Sequence, residues 1–467
     1  MDERGLESAL DKMRAAGLSS AACASFERAW RQAASGDAGL IPEGTIDPAE
    51  GIPELSAVAL TQPDTTLVDK LCVVKLNGGL GTSMGLEKAK SLIPVKDGLT
   101  FLDFIARQIL WLRRSAGTRG PRFLLMDSFS TSSDTLAYLS RYADLAPDGK
   151  LDFLQNRIPK LLASSLCPVE WPDDPELEWC PPGHGDLFPS LLGSGWLKQM
   201  ADEGIEYIFV SNSDNLGATV DTGLLGYFAA SGLSFLMEVA ERTASDRKGG
   251  HLARRKSDGR LVLREVAQCP ADDLEAFQDT GRHRYFNTNT LWLRVSDLLC
   301  ALEENDGALP LPLIKNTKTV DPRNGASPQV LQLETAMGAA IECFPRAGAV
   351  LVPRTRFAPV KTTGDLLALR SNAYVVTGEE RLELAPERQG IPPEISLDDR
   401  YYKLLAGLEA GFDRNAPSLL RCSKFKVEGP WRFENGVVCE GAVKFANHAP
   451  RPATARAGVY REVATEI

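Results

Sequence analysis

The sequence is poor in the residues from which several common kinds of site are built. It contains four histidines, and its nine cysteines, an odd number, include no CxxC pair. Neither a Cys/His zinc site nor a disulfide framework is supported, and reduced thiols in a cytoplasm are expected. Runs of about 18 consecutive apolar residues are also absent, so no membrane-spanning helix is predicted. The first fifteen residues include Asp2, Glu3, Arg4 and Glu7 and lack an apolar stretch, which predicts that there is no signal peptide.

Positive charge is scarce, because 52 Lys and Arg residues face 62 Asp and Glu residues and leave a net charge of −10. A nucleic-acid partner, which requires a basic surface, is therefore not expected. A small anionic ligand remains open, since a few lysines can hold one inside an acidic protein. The hydrophobic content of 43% and the charged content of 24% are typical of a soluble globular protein, and 467 residues predict two or three domains.

The chain divides by texture into three predicted parts. Residues 1–55 form a helical segment, with apolar side chains at helical spacing, that ends in a connector rich in proline and glycine. Residues 56–380 alternate short apolar runs with amphipathic helices. Residues 381–467 contain a second linker, "APERQGIPPE", and then a short repeat.

The middle part predicts an α/β sheet. Thr100 and Asp103 form a capping box ahead of a helix whose apolar residues lie on one face. Strands are predicted at "LCVVKL", "RFLLM", "IEYIFV", "LSFLMEVA", "RLVLREV", "TLWLRV" and "AGAVLV". This alternation indicates a largely parallel sheet with its ligand beyond the carboxyl ends of the strands.

A six-residue repeat occupies the C-terminal part. Three sets of residues recur in phase, two of them apolar and the third Gly or Asn: Phe425, Trp431, Val437 and Val443; Val427, Phe433, Cys439 and Phe445; Gly429, Asn435, Gly441 and Asn447. Two inward residues and one residue tolerant of positive φ per turn suit a left-handed parallel β-helix, and chance alternation in an ordinary sheet is the alternative. We expect this part to be structural or to provide a surface for homo-oligomers, and not to form the active site.

The stretch "KLNGGLGTSMG" places four glycines within eight residues directly after a predicted strand. Such a cluster indicates a backbone that a phosphate or a base approaches closely. The glycine after Gly79 and Gly81 is Gly85, one residue late for a dinucleotide fingerprint, and no lysine follows it as a Walker loop requires. Two interpretations remain: a glycine-rich surface turn, or a nucleotidyltransferase loop in which Lys90 supplies positive charge.

A specific resemblance favours the second interpretation. "LNGGLGTSMGLEKAKS" resembles the signature LxGGxGTxMGxxxxK of the UTP–glucose-1-phosphate uridylyltransferases (UDP-glucose pyrophosphorylases) of the larger, eukaryotic-type class, although the family more often has Pro-Lys where this chain has Ala89-Lys90. The resemblance covers roughly residues 60–450 and continues in order through "LLMDSFSTSSDT", "QNRIPKL", "WCPPGHGDLF", "VSNSDNLGATV", "LREVAQCP", "FNTNTLWL" and "PVKTTGDLLALRSNAY".

The resemblance implies a fold and a reaction. The fold is an α/β, Rossmann-like nucleotidyltransferase (GT-A-like) domain with a mixed sheet, a helical N-terminal segment and a C-terminal left-handed parallel β-helix. In the reaction, glucose 1-phosphate attacks the α-phosphorus of UTP in line, with Mg²⁺ as cofactor, and gives UDP-glucose and pyrophosphate. Such a transfer needs positioning and charge neutralisation, and no covalent nucleophile of the protein.

The family's motifs also assign the nucleotide to particular residues. By resemblance these are Leu76, Asn77, Gly78, Gly79, Met126, Gln155, Gly183, Asn212 and Ser213. The amide of Gln155 offers one donor and one acceptor, as a uracil edge requires. Met126 is expected to pack on the base, although a methionine that ends a buried strand is usually part of the core.

Four charged or titratable residues are assigned to the phosphates and the metal. Lys90 and Lys361 match phosphate-binding lysines, and Lys361 is expected to meet the leaving pyrophosphate. His184 stands on a turn between Pro-Pro-Gly and Gly-Asp, and is expected to donate to the sugar phosphate, because a phosphate already ionised needs no general base. Asp214 follows a predicted strand and is assigned to Mg²⁺, with an Asx turn as the alternative.

Glucose recognition is assigned to Glu265, Asn287 and Asn289 by the same resemblance. The family usually has Asn where this chain has Thr290, which leaves the sugar preference open. A related pyrophosphorylase for other sugar 1-phosphates is therefore one alternative. A catalytically inactive nucleotide-binding scaffold is another, although such a relative would be expected to have lost one or more of its four phosphate and metal residues.

Overall fold

The computed structural model describes residues 3–36, 39–58, 64–243, 246–412 and 416–466. Its α-helices are α1 (Arg4–Ala15), α2 (Ser20–Ala34), α3 (Leu55–Val58), α4 (Phe101–Ala116), α5 (Ser132–Leu139), α6 (Leu187–Gly193), α7 (Trp196–Asp202), α8 (Thr222–Ser231), α9 (Leu274–Gln278), α10 (Val295–Glu303), α11 (Thr363–Arg370), α12 (Asp399–Tyr402) and α13 (Leu405–Phe412). Within these ranges, none of the helices combines the length and the apolar character that crossing a bilayer requires.

The β-strands of the first two parts are β1 (Ile46–Pro48), β2 (Leu71–Asn77), β3 (Pro94–Lys96), β4 (Leu99–Thr100), β5 (Arg122–Asp127), β6 (Asp152–Leu154), β7 (Ile158–Pro159), β8 (Leu161–Leu162), β9 (Trp179–Cys180), β10 (Tyr207–Asn212), β11 (Phe235–Glu241), β12 (His251–Arg255), β13 (Leu261–Arg264), β14 (Tyr285–Arg294), β15 (Ile314–Thr319), β16 (Gln329–Glu334), β17 (Ala347–Leu351) and β18 (Tyr374–Val376). The later strands are β19 (Leu382–Leu384), β20 (Glu394–Leu397), β21 (Ser418–Glu428), β22 (Trp431–Phe433), β23 (Val437–Ala446), β24 (Ala453–Ala455), β25 (Gly458–Arg461) and β26 (Ala464–Glu466). All seven strands predicted in the middle part are confirmed.

A ten-stranded sheet forms the centre of the molecule. Its order is β1-β12-β14-β10-β2-β5-β6, with β13 beside β12 and with β11 joining β14 to β17. Strands β10, β2, β5 and β6 are parallel, whereas β14 runs antiparallel to both β10 and β11. The sheet is therefore mixed and not largely parallel, because the long strand β14 enters it in the opposite direction.

Helices cover both faces of this sheet, as strands with two apolar faces require. One face packs on α4, α8 and α11, and the other packs on α6, α7 and α10. The predicted capping box begins α4: the hydroxyl of Thr100 accepts from the N–H of Asp103, whose carboxylate accepts from the N–H of Thr100. Helices α1 and α2, predicted from their spacing, form a third apolar core with the antiparallel pair β7 and β9.

The repeat folds into two small sheets in which every strand pair is parallel. Strands β20, β21 and β23 with β25 and β26 form one sheet, and β22 and β24 form the other. Phe425 lies opposite Val443, three repeats further on, and all the apolar repeat positions are buried. Gly429 and Gly441 have φ of +73° and +68°. Asn447 instead donates from Nδ2 to a backbone carbonyl over 2.7 Å.

Helices α12 and α13 connect the C-terminal strands to the middle part of the chain. The rings of Phe412 and Phe433 stack with centroids 4.6 Å apart. The hydroxyl of Tyr402 accepts from the N–H of Trp431 over 2.7 Å, and the hydroxyl of Thr363 donates to the carbonyl of Tyr402 over 2.6 Å. One continuous apolar core therefore includes residues of the central sheet and of the repeat.

Candidate active site

The carboxyl ends of four parallel strands, β2, β5, β6 and β10, meet at one edge of the sheet. A cavity of about 330 Å³ opens there, as expected for an α/β sheet. Eleven of the predicted site residues line it, namely Leu76, Gly78, Gly79, Lys90, Met126, Gln155, Gly183, His184, Asn212, Ser213 and Asp214. Pro181, which no motif argument had assigned, also lines it.

The glycines after β2 differ in what surrounds them. A Cβ at Gly78 would lie 2.8 Å from Oε1 of Gln155, and a Cβ at Gly81 would lie 2.5 Å from Cδ1 of Leu86. At Gly79 no atom lies within 4 Å of the Cβ position, although the residue lines the cavity. The absence of a side chain thus allows close packing at Gly78 and Gly81, and leaves open space for a ligand at Gly79.

The pair β7 and β9 brings two distant segments together beside this loop. Gln155 precedes β7, Gly183 follows β9, and Nε2 of Gln155 donates to the carbonyl of Gly183 over 2.9 Å. Gly183 has φ of +79°, and a Cβ there would lie 2.5 Å from the carbonyl oxygen of Thr335. Only glycine suits this position, because both its conformation and its neighbour exclude a side chain.

His184 is held as a neutral donor. Its Nδ1 accepts from the N–H of Met337 over 3.0 Å, so the proton of the neutral ring lies on Nε2. Burial lowers the pKa of His184 to about 4, because the charged ring would lose its hydration. Near neutral pH this residue presents an N–H and no charge.

Lys90 and Asp214 form an ion pair in the cavity. Nζ of Lys90 donates to Oδ2 of Asp214 over 2.7 Å and also to the carbonyl of Val360. The other carboxylate oxygen of Asp214, Oδ1, is buried and has no hydrogen-bond partner. Within the described ranges no group of three or more His, Cys, Asp or Glu side chains could hold a metal. A cation here would therefore be held by one carboxylate and by ligand oxygens, an arrangement that suits Mg²⁺.

Lys361 lies outside this cavity, one residue beyond the Val360 carbonyl that binds Lys90. Its side chain is exposed and lines a neighbouring cavity of about 640 Å³. Burial raises the pKa of Glu265, and the positive charge of Lys361 partly opposes that rise. These two predicted site residues are thus within electrostatic reach of each other.

Asn287 and Asn289 stand at a β-bulge where β14 changes register against β11. Nδ2 of Asn287 donates to Oδ1 of Asn289, and the N–H of Asn289 donates to Oδ1 of Asn287, both over 2.9 Å. Asn289 has φ of +56°, which asparagine tolerates better than most residues. Thr290 follows the bulge and is buried, so the difference from the family at this position does not line the cavity.

Glycines connect these asparagines with the other predicted sugar residue. A Cβ at Gly250 would lie 2.5 Å from the carboxylate of Glu265, and the carbonyl of Gly250 accepts from the N–H of Asn287 over 3.3 Å. A Cβ at Gly338 would lie 2.8 Å from Nδ2 of Asn287. Gly338 directly follows the residue whose N–H binds His184, so this patch adjoins the histidine side of the cavity.

Two residues behind the cavity were not recognised in these roles from the sequence. Asn77 turns its side chain away from the cavity and donates from Nδ2 to Asp127 over 2.6 Å and to Thr135 over 3.0 Å. Lys75 is buried in β2 and donates to the hydroxyl of Ser211 and to a backbone carbonyl, each over 2.7 Å. Burial lowers the pKa of Lys75 to about 7. The position of Lys75 inside an apolar run did not predict that its side chain joins two neighbouring segments behind the cavity.

A glycine loop after a parallel strand, an amide beside it, and a lysine paired with an aspartate at the next strand end together define a nucleotidyltransferase of Rossmann-like α/β architecture. The model of one protein family, described as UTP–glucose-1-phosphate uridylyltransferase, matches residues 35–440 of the chain.

Comparison with individual proteins gives the same family. The UTP–glucose-1-phosphate uridylyltransferase of Solanum tuberosum is 41% identical over 382 residues, which cover 81% of this chain and 77% of that protein. The enzyme of that name from Saccharomyces cerevisiae is 42% identical over 377 residues, which cover 80% and 74%. The structure of a UDP-glucose pyrophosphorylase variant from Leishmania major in complex with UDP-glucose has a TM-score of 0.94, is 43% identical and covers 99% of both chains. The chain belongs to the UTP–glucose-1-phosphate uridylyltransferase family.

Proposed function

We propose that the chain transfers the uridylyl group of UTP to α-D-glucose 1-phosphate in this cavity. An oxygen of the sugar phosphate forms a bond to the α-phosphorus of UTP, the bond from that phosphorus to the β-phosphate oxygen breaks, and pyrophosphate leaves. The observation that carries the proposal is the meeting of a glycine edge, an amide, a lysine and a carboxylate in one cavity of a chain from this family.

The base end of UTP is assigned to Gly78, Gly79, Met126 and Gln155. Gln155 uses one N–H of its amide on the carbonyl of Gly183, which leaves the second N–H and Oε1 for a uracil edge. The backbone after β2 carries no side chain at either glycine, so the ring can lie against it. Leu76, Asn212, Ser213 and Gly183 complete the walls for the rest of the nucleotide.

The phosphates are assigned to Lys90 and Asp214. Two of the three N–H groups of Lys90 bind Asp214 and Val360, and the third remains for a phosphate oxygen. Oδ1 of Asp214 is buried without a partner, and a carboxylate in that condition is suited to Mg²⁺. When bound, the ion would neutralise and orient the phosphate oxygens. Lys90 can then stabilise charge as it develops on the α-phosphate.

His184 and Lys361 are assigned to the two ends of the reacting phosphates. The neutral ring of His184 holds its proton on Nε2 and can donate it in a hydrogen bond to the sugar phosphate without acting as a base. Lys361 directly follows Val360, whose carbonyl binds Lys90, and this supports its assignment to the leaving pyrophosphate. Glucose hydroxyls are assigned to Glu265, Asn287 and Asn289, which the bulge and the glycines around it hold together.

We also propose how the chain is organised, whether it associates with itself and in which compartment it acts. We divide the chain into a helical segment of residues 1–55, a catalytic part of residues 56–380 and a C-terminal part of residues 381–467, in which parallel pairing three repeats apart supports a left-handed β-helix. Exposed apolar side chains on that part, such as Val459, support self-association. The cysteines of the described residues are unpaired, which supports a reducing cytoplasm as the compartment.

Pyrophosphate release tests the proposal. The purified chain is assayed with UTP, Mg²⁺ and, in turn, the 1-phosphates of glucose, galactose and N-acetylglucosamine, with the Lys90→Met variant prepared in parallel to exclude a contaminating enzyme. Glucose 1-phosphate should react fastest. Equal rates with N-acetylglucosamine 1-phosphate would indicate the related pyrophosphorylase, and UTP binding without release from any sugar would indicate the inactive scaffold.

A further inference from the structure

Three neighbouring strands end together beside the proposed base site. Asn77 of β2 is paired with Asp127 of β5, and Asp127 is paired with Leu154 of β6. The next residues along these strands include Gly78 and Gln155, which line the cavity. Asn77, Asp127 and Leu154 therefore form a row across the sheet with Asp127 in the middle. The two outer members of this row directly precede Gly78 and Gln155, the residues assigned to uracil.

Asp127 is bonded to Asn77 in this row and to Gln155, the residue after Leu154. Its Oδ1 accepts from Nδ2 of Asn77 over 2.6 Å and from the hydroxyl of Thr131 over 3.1 Å. Its backbone carbonyl accepts from the N–H of Gln155 over 2.7 Å. The side chain is fully buried and does not line the cavity, so it acts only through other residues.

The orientation of the Gln155 amide decides which pyrimidine base it can hydrogen-bond. The carbonyl of Gly183 can only accept, so Nε2 must face Gly183, and Oε1 lies where a Cβ of Gly78 would come within 2.8 Å. Uracil presents a donor at N3 and an acceptor at O4, whereas cytosine presents an acceptor and a donor at the same places. An amide held in one orientation distinguishes the two bases, and an amide free to turn over accepts both.

We propose that Asp127 is a positioning residue for the choice of pyrimidine. It joins Asn77, and so the backbone at Gly78, to the main chain of Gln155, and keeps the amide at one distance from the glycine edge and from Gly183. The inference rests on the assignment of Gln155 to uracil made above. The side chain of Lys90 is bonded to Asp214 and to Val360 and not to this row, so loosening the row should leave the reacting end of the site in place.

The test measures kcat/KM for UTP and for CTP with saturating glucose 1-phosphate. Asp127→Ala should lower the UTP:CTP ratio on the order of tenfold or more, mostly through KM, because the buried hydrogen bond that holds Asn77, and with it the backbone at Gly78, to β5 beside Gln155 is lost. Asp127→Asn keeps the acceptor oxygen and should restore most of the ratio. Burial raises the pKa of Asp127 to about 7, so a neutral amide is a close substitute for the carboxyl group.

Matched variants separate positioning from general damage. Asp103 is buried, accepts from the hydroxyls of Tyr138 over 2.6 Å and Tyr142 over 2.7 Å, and does not line the cavity. Asp103→Ala should reduce thermal stability and leave the UTP:CTP ratio unchanged. Should Asp127→Ala not fold, Thr135→Val removes the other acceptor of the Asn77 amide with little change of shape and should lower the ratio severalfold.

The outcomes distinguish this inference from the proposed function. An unchanged ratio in folded Asp127→Ala, or in folded Thr135→Val when Asp127→Ala does not fold, would overturn the inference, provided that Gln155→Ala lowers the ratio. An unchanged ratio in Gln155→Ala would instead remove the uracil assignment on which it rests. Equal losses in Asp127→Ala and Asp103→Ala would also overturn it, because the effect would then follow stability and not position.

Discussion

Lys90→Met should lower kcat by about 10²–10³-fold, a loss of about 3–4 kcal/mol of transition-state stabilisation, while UTP still binds. The side chain of Lys90 is only 18% exposed, and Nζ stands 2.7 Å from Asp214 at the cavity wall. A donor in a partly desolvated site acts most strongly on charge that develops during reaction, and negative charge builds on the α-phosphate and the leaving pyrophosphate. The affinity for UTP should change only severalfold, because the glycine edge and Gln155 are untouched.

Steady-state pyrophosphate release gives kcat, and calorimetry with UTP gives Kd. Lys88→Met is the matched control, because Lys88 is exposed, stands two residues earlier and does not line the cavity. Lys90 also binds the Val360 carbonyl beside Lys361, so unfolding curves of both variants are needed to show that this segment stays folded. A Lys90→Met enzyme with kcat within about threefold of wild type, or with kcat and UTP affinity falling by the same factor, would refute the role assigned to this lysine.

Three further outcomes are expected. Gly79→Val should block UTP binding at unchanged Tm, since no atom lies within 4 Å of its Cβ position; normal UTP affinity in calorimetry would contradict this. EDTA should abolish turnover, and Asp214→Asn should raise the Mg²⁺ concentration for half-maximal rate at least ~10-fold. Turnover without metal would contradict the assignment to Mg²⁺ and favour the Asx turn as the role of Asp214. Burial and neighbouring positive charges lower the pKa of His251 to about 2, against about 6.5 when unfolded. Its contribution to stability is therefore complete above pH 6.5 and falls by about 2 kcal/mol between pH 7.5 and 5. His251→Phe should remove that part of the pH dependence in urea unfolding, and parallel pH curves for the two proteins would exclude it.

The strands of the fold were predictable because each is a short apolar run bounded by turn residues. Their directions were not, because an apolar run buried on both faces looks the same in a parallel and an antiparallel neighbour. Strand β14 illustrates this: its sequence predicts a strand, yet only the structure shows that it runs against β10 and contains the bulge at Asn287. The six-residue repeat predicted which apolar residues are buried, but only the structure shows that Phe425 pairs with Val443, three repeats further on.

The candidate site was predictable where residue type and local motif coincide, as at the glycines, Gln155 and His184. The contacts that arrange these residues were not, because they join distant parts of the chain: Lys90 binds Asp214, 124 residues away, and Val360, 270 residues away. The direction of the Asn77 side chain could not be predicted from the sequence either. A residue at the end of a buried strand can face ligand or interior, and its neighbours in the sheet decide which.

The shared core between the C-terminal strands and the central sheet limits where this chain can exchange segments with its relatives. Thr363, two residues after Lys361, is bonded to Tyr402, and Tyr402 is bonded to Trp431 in the repeat. A chimera joined at residue 381 would set a foreign repeat against native α11, and the mismatch would lie next to Lys361. In a chimera joined before Lys361, Lys361, α11 and the repeat would all come from the same parent. Recombination between relatives should therefore be tolerated at the earlier point and penalised at the later one.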